Sequence, residues 1–150
     1  MNKFILGTAL ACITLLAQSN KPAMVNATGT FEVKMLPPSG PAPNDGFMRL
    51  SIDKTFQGSL EGTSRVEMMA TSDGTSPSGG YVALERFTGK LDGKAGSFIM
   101  QHSGTMSPGS SEIKVLVSPG SGSGELTGIS GTLEIRREGK QHFYTLRYVL

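Results

Sequence analysis

"YVALERFTGKLDGKAGSFIMQHSGTM", Tyr81 to Met106, is the stretch on which the fold turns. Tyr81, Ala83, Glu85 and Phe87 alternate with Val82, Leu84 and Arg86, and beyond a glycine-rich centre Phe98, Met100 and His102 alternate with Ile99, Gln101 and Ser103. A period of two places successive side chains on opposite faces of a sheet, so this is a pair of strands folded back as a hairpin. A two-residue loop at Asp92-Gly93 pairs Glu85 with Met100, diagonal to His102; a four-residue loop from Asp92 to Ala95 sets Glu85 opposite His102. Both registers leave acid and imidazole within roughly 5 to 8 Å on one face.

The centre of the hairpin, "GKLDGKAGSF" from Gly89, returns 35 residues later as "GELTGISGTL" from Gly124. A partial third copy, Phe56-x-Gly58-x-Leu60-x-Gly62, aligns with Phe87-x-Gly89-x-Leu91-x-Gly93. The repeated unit reads as a hairpin, its glycines allowing sharp bends and its central leucine plugging one end of the core. Three such hairpins with a first and a last strand make eight. The fold class expected is all-β, a small closed eight-stranded antiparallel meander barrel, since closure removes the exposed edges of an open sheet.

The flanking segments agree. Phe31, Val33 and Met35 share one face of "GTFEVKML", and Met48, Leu50, Ile52 and Phe56 share one face of "FMRLSIDKTF". "SRVEMMA" is a third strand, Thr71 to Gly80 a loop, and "EIKVLV" and "TLEIRRE" are strands on either side of "SPGSGSG". The last hairpin is expected to turn at Glu138-Gly139 and close with "QHFYTLRYVL". No helix is expected. The composition suits this picture: 20 glycines in 150 residues is about twice the usual share, with charged residues at 17%.

The first 19 residues, "MNKFILGTALACITLLAQS", have the layout of a cleaved secretory signal peptide, with a basic head, an apolar run and a small-x-small end. Residues 20–27 then read as a linker and 28–150 as one barrel domain. The localisation expected is export, periplasmic or secreted, with a lipid anchor through Cys12 as the alternative, and no membrane association after leader removal. Losing Lys3 leaves 13 of the 14 basic residues against 12 acidic ones, and the one cysteine goes too. That excludes disulfides and thiolate metal sites, and the near balance without a basic block argues against nucleic acid. "PGSGSG", Pro119 to Gly124, spells a phosphate loop, but no helix follows to supply free N–H groups.

"GTFEVK", "FQGSLEGTS", the Tyr81–Met106 hairpin and "GSGELTGISGTLEI" together resemble a bacterial family classed only as a domain of unknown function and related in fold to plant allene oxide cyclase. The resemblance implies the same closed eight-stranded barrel and brings no agreed reaction and no catalytic residues.

The candidate site comes from the residues themselves. Lys54 stands two before Phe56 as Glu85 stands two before Phe87, so the repeat places both at equivalent inward positions, and Lys54, Glu85 and His102 can meet inside the barrel. Lys54, Tyr81, Glu85, Met100 and His102 form the candidate ligand-binding set, and Glu85 with His102 the candidate acid/base pair of a hydrolase or isomerase. A satisfied polar network in the core is the plain alternative. His142 shares the inward face with Tyr144, Leu146 and Tyr148. No metal site and no cofactor are expected. The partners expected are a small, largely apolar molecule and, through outward Val82, Leu84 and Ile99, a second copy.

Overall fold

The structure is a computed structural model that describes residues 22–38, 45–71 and 75–150. The expected leader, with Cys12, lies outside the described residues. Among the described residues nine strands follow one another: β1 Val25–Met35, β2 Met48–Gly58, β3 Leu60–Ala70, β4 Gly79–Leu91, β5 Lys94–Ser107, β6 Ser110–Val117, the two-residue β7 Ser123–Gly124, β8 Ser130–Glu138 and β9 Gln141–Val149. Eight of them pair antiparallel in chain order, β9 returns to β1, and the sheet closes on itself. The barrel is the one expected, with no helix among the described residues. β7 is an extra piece that pairs with the start of β5.

Register is fixed by turn chemistry. Asp92 and Gly93 both have positive φ, the geometry of a type I′ turn, so Leu91 pairs with Lys94 and Glu85 with Met100. The shorter of the two expected loops is therefore the real one. The last turn is Gly139-Lys140, one residue beyond the expected Glu138-Gly139, because Glu138 still pairs with Gln141 and Gly139 supplies the positive φ the first turn position requires. β1 begins at Val25, inside the stretch read as linker, and seats Ala27 in the core.

The glycine frames do three different jobs. Gly58 to Gly62 carries the chain round the β2–β3 corner, where the Ser59 N–H donates to the Thr28 carbonyl. Gly89 to Gly93 ends β4. Gly62 and Gly89 face each other so closely that a Cβ on Gly62 would meet the Thr88 carbonyl oxygen at 2.3 Å. The frame from Gly124 is not a hairpin: it is the connection between β6 and β8, which folds across the end of the barrel and inserts Leu126 and Ile129. Glu125 secures it, its N–H donating to the Ala95 carbonyl and its carboxylate accepting from the Ala95 N–H at 2.7 Å.

The central leucines Leu60, Leu91 and Leu126 are all fully buried, with Phe56, Phe87, Phe98, Met100 and Leu146, in one cluster that fills this end. Aromatic rings step through it from Phe31 to Phe56, Phe87 and Phe98 at centroid separations of 5.2 to 5.6 Å. Tyr144 accepts the Leu60 N–H at 2.7 Å and Tyr148 donates to Asp92 at 2.8 Å, so the polar groups of the closed end are paired as well.

Candidate functional site

Strand parity and register bring Lys54 on β2 and Glu85 on β4 to the same wall with β3 between them. The β3 residue that pairs with Lys54 is Ser64. Its small side chain leaves the space across which the lysine reaches, and its hydroxyl joins the group. Lys54 Nζ donates to Glu85 Oε2 at 2.6 Å, and Ser64 Oγ donates to Glu85 Oε1 at 2.5 Å. From β5, His102 Nε2 comes within 2.8 Å of the same Oε2. That nitrogen has no aligned hydrogen bond, so the ring meets the carboxylate as a close polar contact rather than a linear one. Glu85 is fully buried, and Lys54 and His102 are each less than a tenth exposed.

Burial pushes the Glu85 carboxyl up, and His102 and Lys54 together pull it down further, to about 2. Both carboxylate oxygens are engaged and the group is an anion at neutral pH. Lys54 also lies 4.9 Å above the Phe31 ring, on which His142 stacks at 5.0 Å. Burial lowers the pKa of His142, and Arg137 and Lys54 lower it further. Tyr81 lies across its cross-strand partner Gly104, where a Cβ would stand 2.2 Å from the ring. Its phenol is shifted upward by burial and by the charge of Glu85.

The polar cluster divides the barrel. On one side lies the packed aromatic and leucine core. On the other, a smaller cluster of Ile52, Val66 and Ala83, with Met68 and Tyr81 against it, leads to the end where β1 finishes and β2 begins. There, four side chains on inward parity, Val33, Met35, Met106 and Ile113, are 40% to 52% exposed, while Ala70 stays buried. This apolar rim is the mouth end of the barrel, and Lys54, Ser64, Glu85 and His102 form a buried polar floor beneath the Ile52, Val66 and Ala83 cluster.

The family model that matches residues 27–148 is described as a protein of unknown function, DUF3224. The chain belongs to the DUF3224 family. A crystal structure of a DUF3224 protein of unknown function from Shewanella oneidensis MR-1 is similar to it, with 41% identity and a TM-score of 0.75, covering 85% of this chain and 98% of that one. No curated protein matches the chain.

Of the sequence-derived set, this DUF3224 chain gathers Lys54, Glu85 and His102 at one point and places Tyr81 towards the mouth. Met100 sits in the packed half, fully buried among the aromatic rings, although it pairs with Glu85. Ser64 was missed. The signal for it was present, since Ser64 shares parity with Val66 and Met68 and is thus a lone hydroxyl on an otherwise apolar face. Among the described residues no group of three or more His, Cys, Asp or Glu side chains is arranged to hold a metal. Outward Val82 and Leu84 are exposed, with Met69 and Leu116, along a groove on the outer wall; Ile99 is half-buried.

Proposed function

We propose that this protein is a binding module whose barrel, filled at one end, holds a small, largely apolar molecule in its open half. The observation that carries this reading is the exposure of Val33, Met35, Met106 and Ile113 on inward parity. Four large apolar side chains on inward parity are 40% to 52% exposed, above a buried floor of fixed polar groups, and this agrees with the usual make-up of a ligand site: apolar walls with a few oriented polar groups. An eight-stranded barrel is wide enough for one small ligand when its own side chains do not fill it. The uncharged fluorophore N-phenyl-1-naphthylamine tests this. Its emission is expected to rise on binding and to be reduced in a folded Met35→Asp variant but not in Val82→Asp on the outer wall; equal loss in both, or no rise at all, overturns the reading.

The acid/base alternative has less support. A general acid must carry a proton near the working pH, and an efficient general base has a pKa close to it. Glu85, held at about 2 with both oxygens occupied, meets neither requirement.

Self-association is a second reading, favoured by the outer groove. Its apolar centre of Met69, Val82, Leu84 and Leu116 is flanked by Arg49 and Lys114 and by Glu67, so a copy related by a two-fold axis can set cation against anion over an apolar middle. Leu84→Glu is expected to shift the sedimentation coefficient from dimer to monomer; a wild-type protein that is already monomeric at high concentration removes this reading.

A further inference from the structure

Among the described residues, Glu85 is the one carboxylate on inward parity in the mouth half of the barrel. Glu32, Asp53, Glu61, Glu67, Glu112, Glu134 and Glu138 stand on outward parity of their strands, Asp45 pairs with Arg49 ahead of β2, and Asp92 and Glu125 belong to the closed end. The Glu85 charge is neutralised where it stands, by Lys54 at 2.6 Å, with Ser64 and His102 on its oxygens. What the rest of the inner wall offers a guest is therefore cationic or hydrogen-bond-donating. Lys54 carries three N–H donors and directs one at Glu85. Arg137, exposed at the end of β8, pairs with His142 of β9, which in turn pairs with Phe31 beneath the Lys54 ammonium.

We infer that the guest is an amphiphilic anion, a small apolar body bearing one carboxylate, which lies along Met35 and Met106 and turns its head towards Arg137 and Lys54. This rests on the binding-module reading above and adds the charge of the ligand to it. Complementary charge acts first on selectivity: a like-charged head is rejected more strongly than an opposite one is held, and an uncharged head falls between them.

Three eight-carbon competitors with one tail separate these cases at pH 7.5, where octanoate is an anion, octanol neutral and octylamine a cation. Each is titrated against bound N-phenyl-1-naphthylamine. Octanoate is expected to bind about tenfold tighter than octylamine, with octanol between them. Arg137→Gln, at an exposed position, is expected to weaken octanoate about threefold to tenfold and leave octanol unchanged. Lys54→Met combined with Glu85→Leu removes both members of the buried pair, so that no unpaired charge remains, and is expected to narrow the gap between octanoate and octanol further. Octylamine or octanol binding as tightly as octanoate, or an octanoate affinity untouched by both variants, overturns the inference while the module reading stands. A wild-type protein that does not take up the fluorophore overturns both.

Discussion

The two ends of this barrel are built from the same kinds of residue on the same parity, yet at one the inward side chains are buried and at the other four of them are exposed. At the closed end Leu60, Leu91 and Leu126 are completely buried; at the mouth Val33 and Met35 are about half exposed. Two features of the described residues go with this difference. The connection from β6 to β8 folds over the closed end and seals it with Leu126 and Ile129. At the mouth the strands end at different heights: β1 pairs with β9 only as far as Phe31, while its pairing with β2 runs on to Met35. Val33 and Met35 thus keep a neighbour on one side and lose it on the other. Strand alternation decides which side chains face inward, and the connections decide whether anything meets them there.

The floor between the ends gives the largest effect. Lys54→Met leaves Glu85 as a buried anion short of its main partner and is expected to cost about 3 to 5 kcal/mol in urea unfolding. Lys54→Met with Glu85→Leu should recover most of that loss, because apolar residues of similar volume can replace a buried pair at little cost. If the double variant is no more stable than the single one, the cluster is held by more than its charges, and the division of the barrel into two halves has been drawn in the wrong place.

The same deletion made at each end sharpens the contrast. Leu126→Ala removes packed atoms from the plug and is expected to cost about 2 to 5 kcal/mol. Met35→Ala at the mouth should stay within about 0.5 kcal/mol, as at a surface position. Comparable losses at both ends would mean that the rim is packed like the core.

Acid gives a smaller effect, confined to the floor. The Glu85 carboxyl is depressed from the ordinary 4.5 to about 2 in the folded chain. Its stabilisation is therefore fully present above about pH 4.5 and is lost as the pH falls from there towards 2. Thermal unfolding followed over that range should show a steeper acid limb in the wild type than in Lys54→Met/Glu85→Leu, which has no carboxylate at this position. Parallel limbs would show that Glu85 is not held by its neighbours in solution.

Much of this was legible in the sequence, and the reasons are specific. Alternation placed Glu85, His102 and Lys54 on the inner wall, but it left a two-residue and a four-residue loop open between β4 and β5, and the positive φ of both Asp92 and Gly93 decides for the shorter. The frame from Gly124 could not be told from the one at Gly89 by its spelling: G-x-L-x-G-x-x-G bends a strand in one case and folds a plug in the other, and only the partner strands distinguish them. Ser64 escaped notice because a serine on a strand is common; its role depends on sitting between Lys54 and Glu85, which is a property of three strands together. The mouth was not legible either, since the heights at which neighbouring strands stop are set by pairings that no single segment encodes.

Methionine positions allow the most direct test of the cup. With the methionine methyl groups labelled with carbon-13, titration with N-phenyl-1-naphthylamine is expected to move the resonances of Met35, Met68 and Met106 through the ring currents of the bound probe, and to leave Met100, beneath the floor, unmoved. Shifts confined to Met69 on the outer wall, or no shifts at saturating probe, would contradict the account.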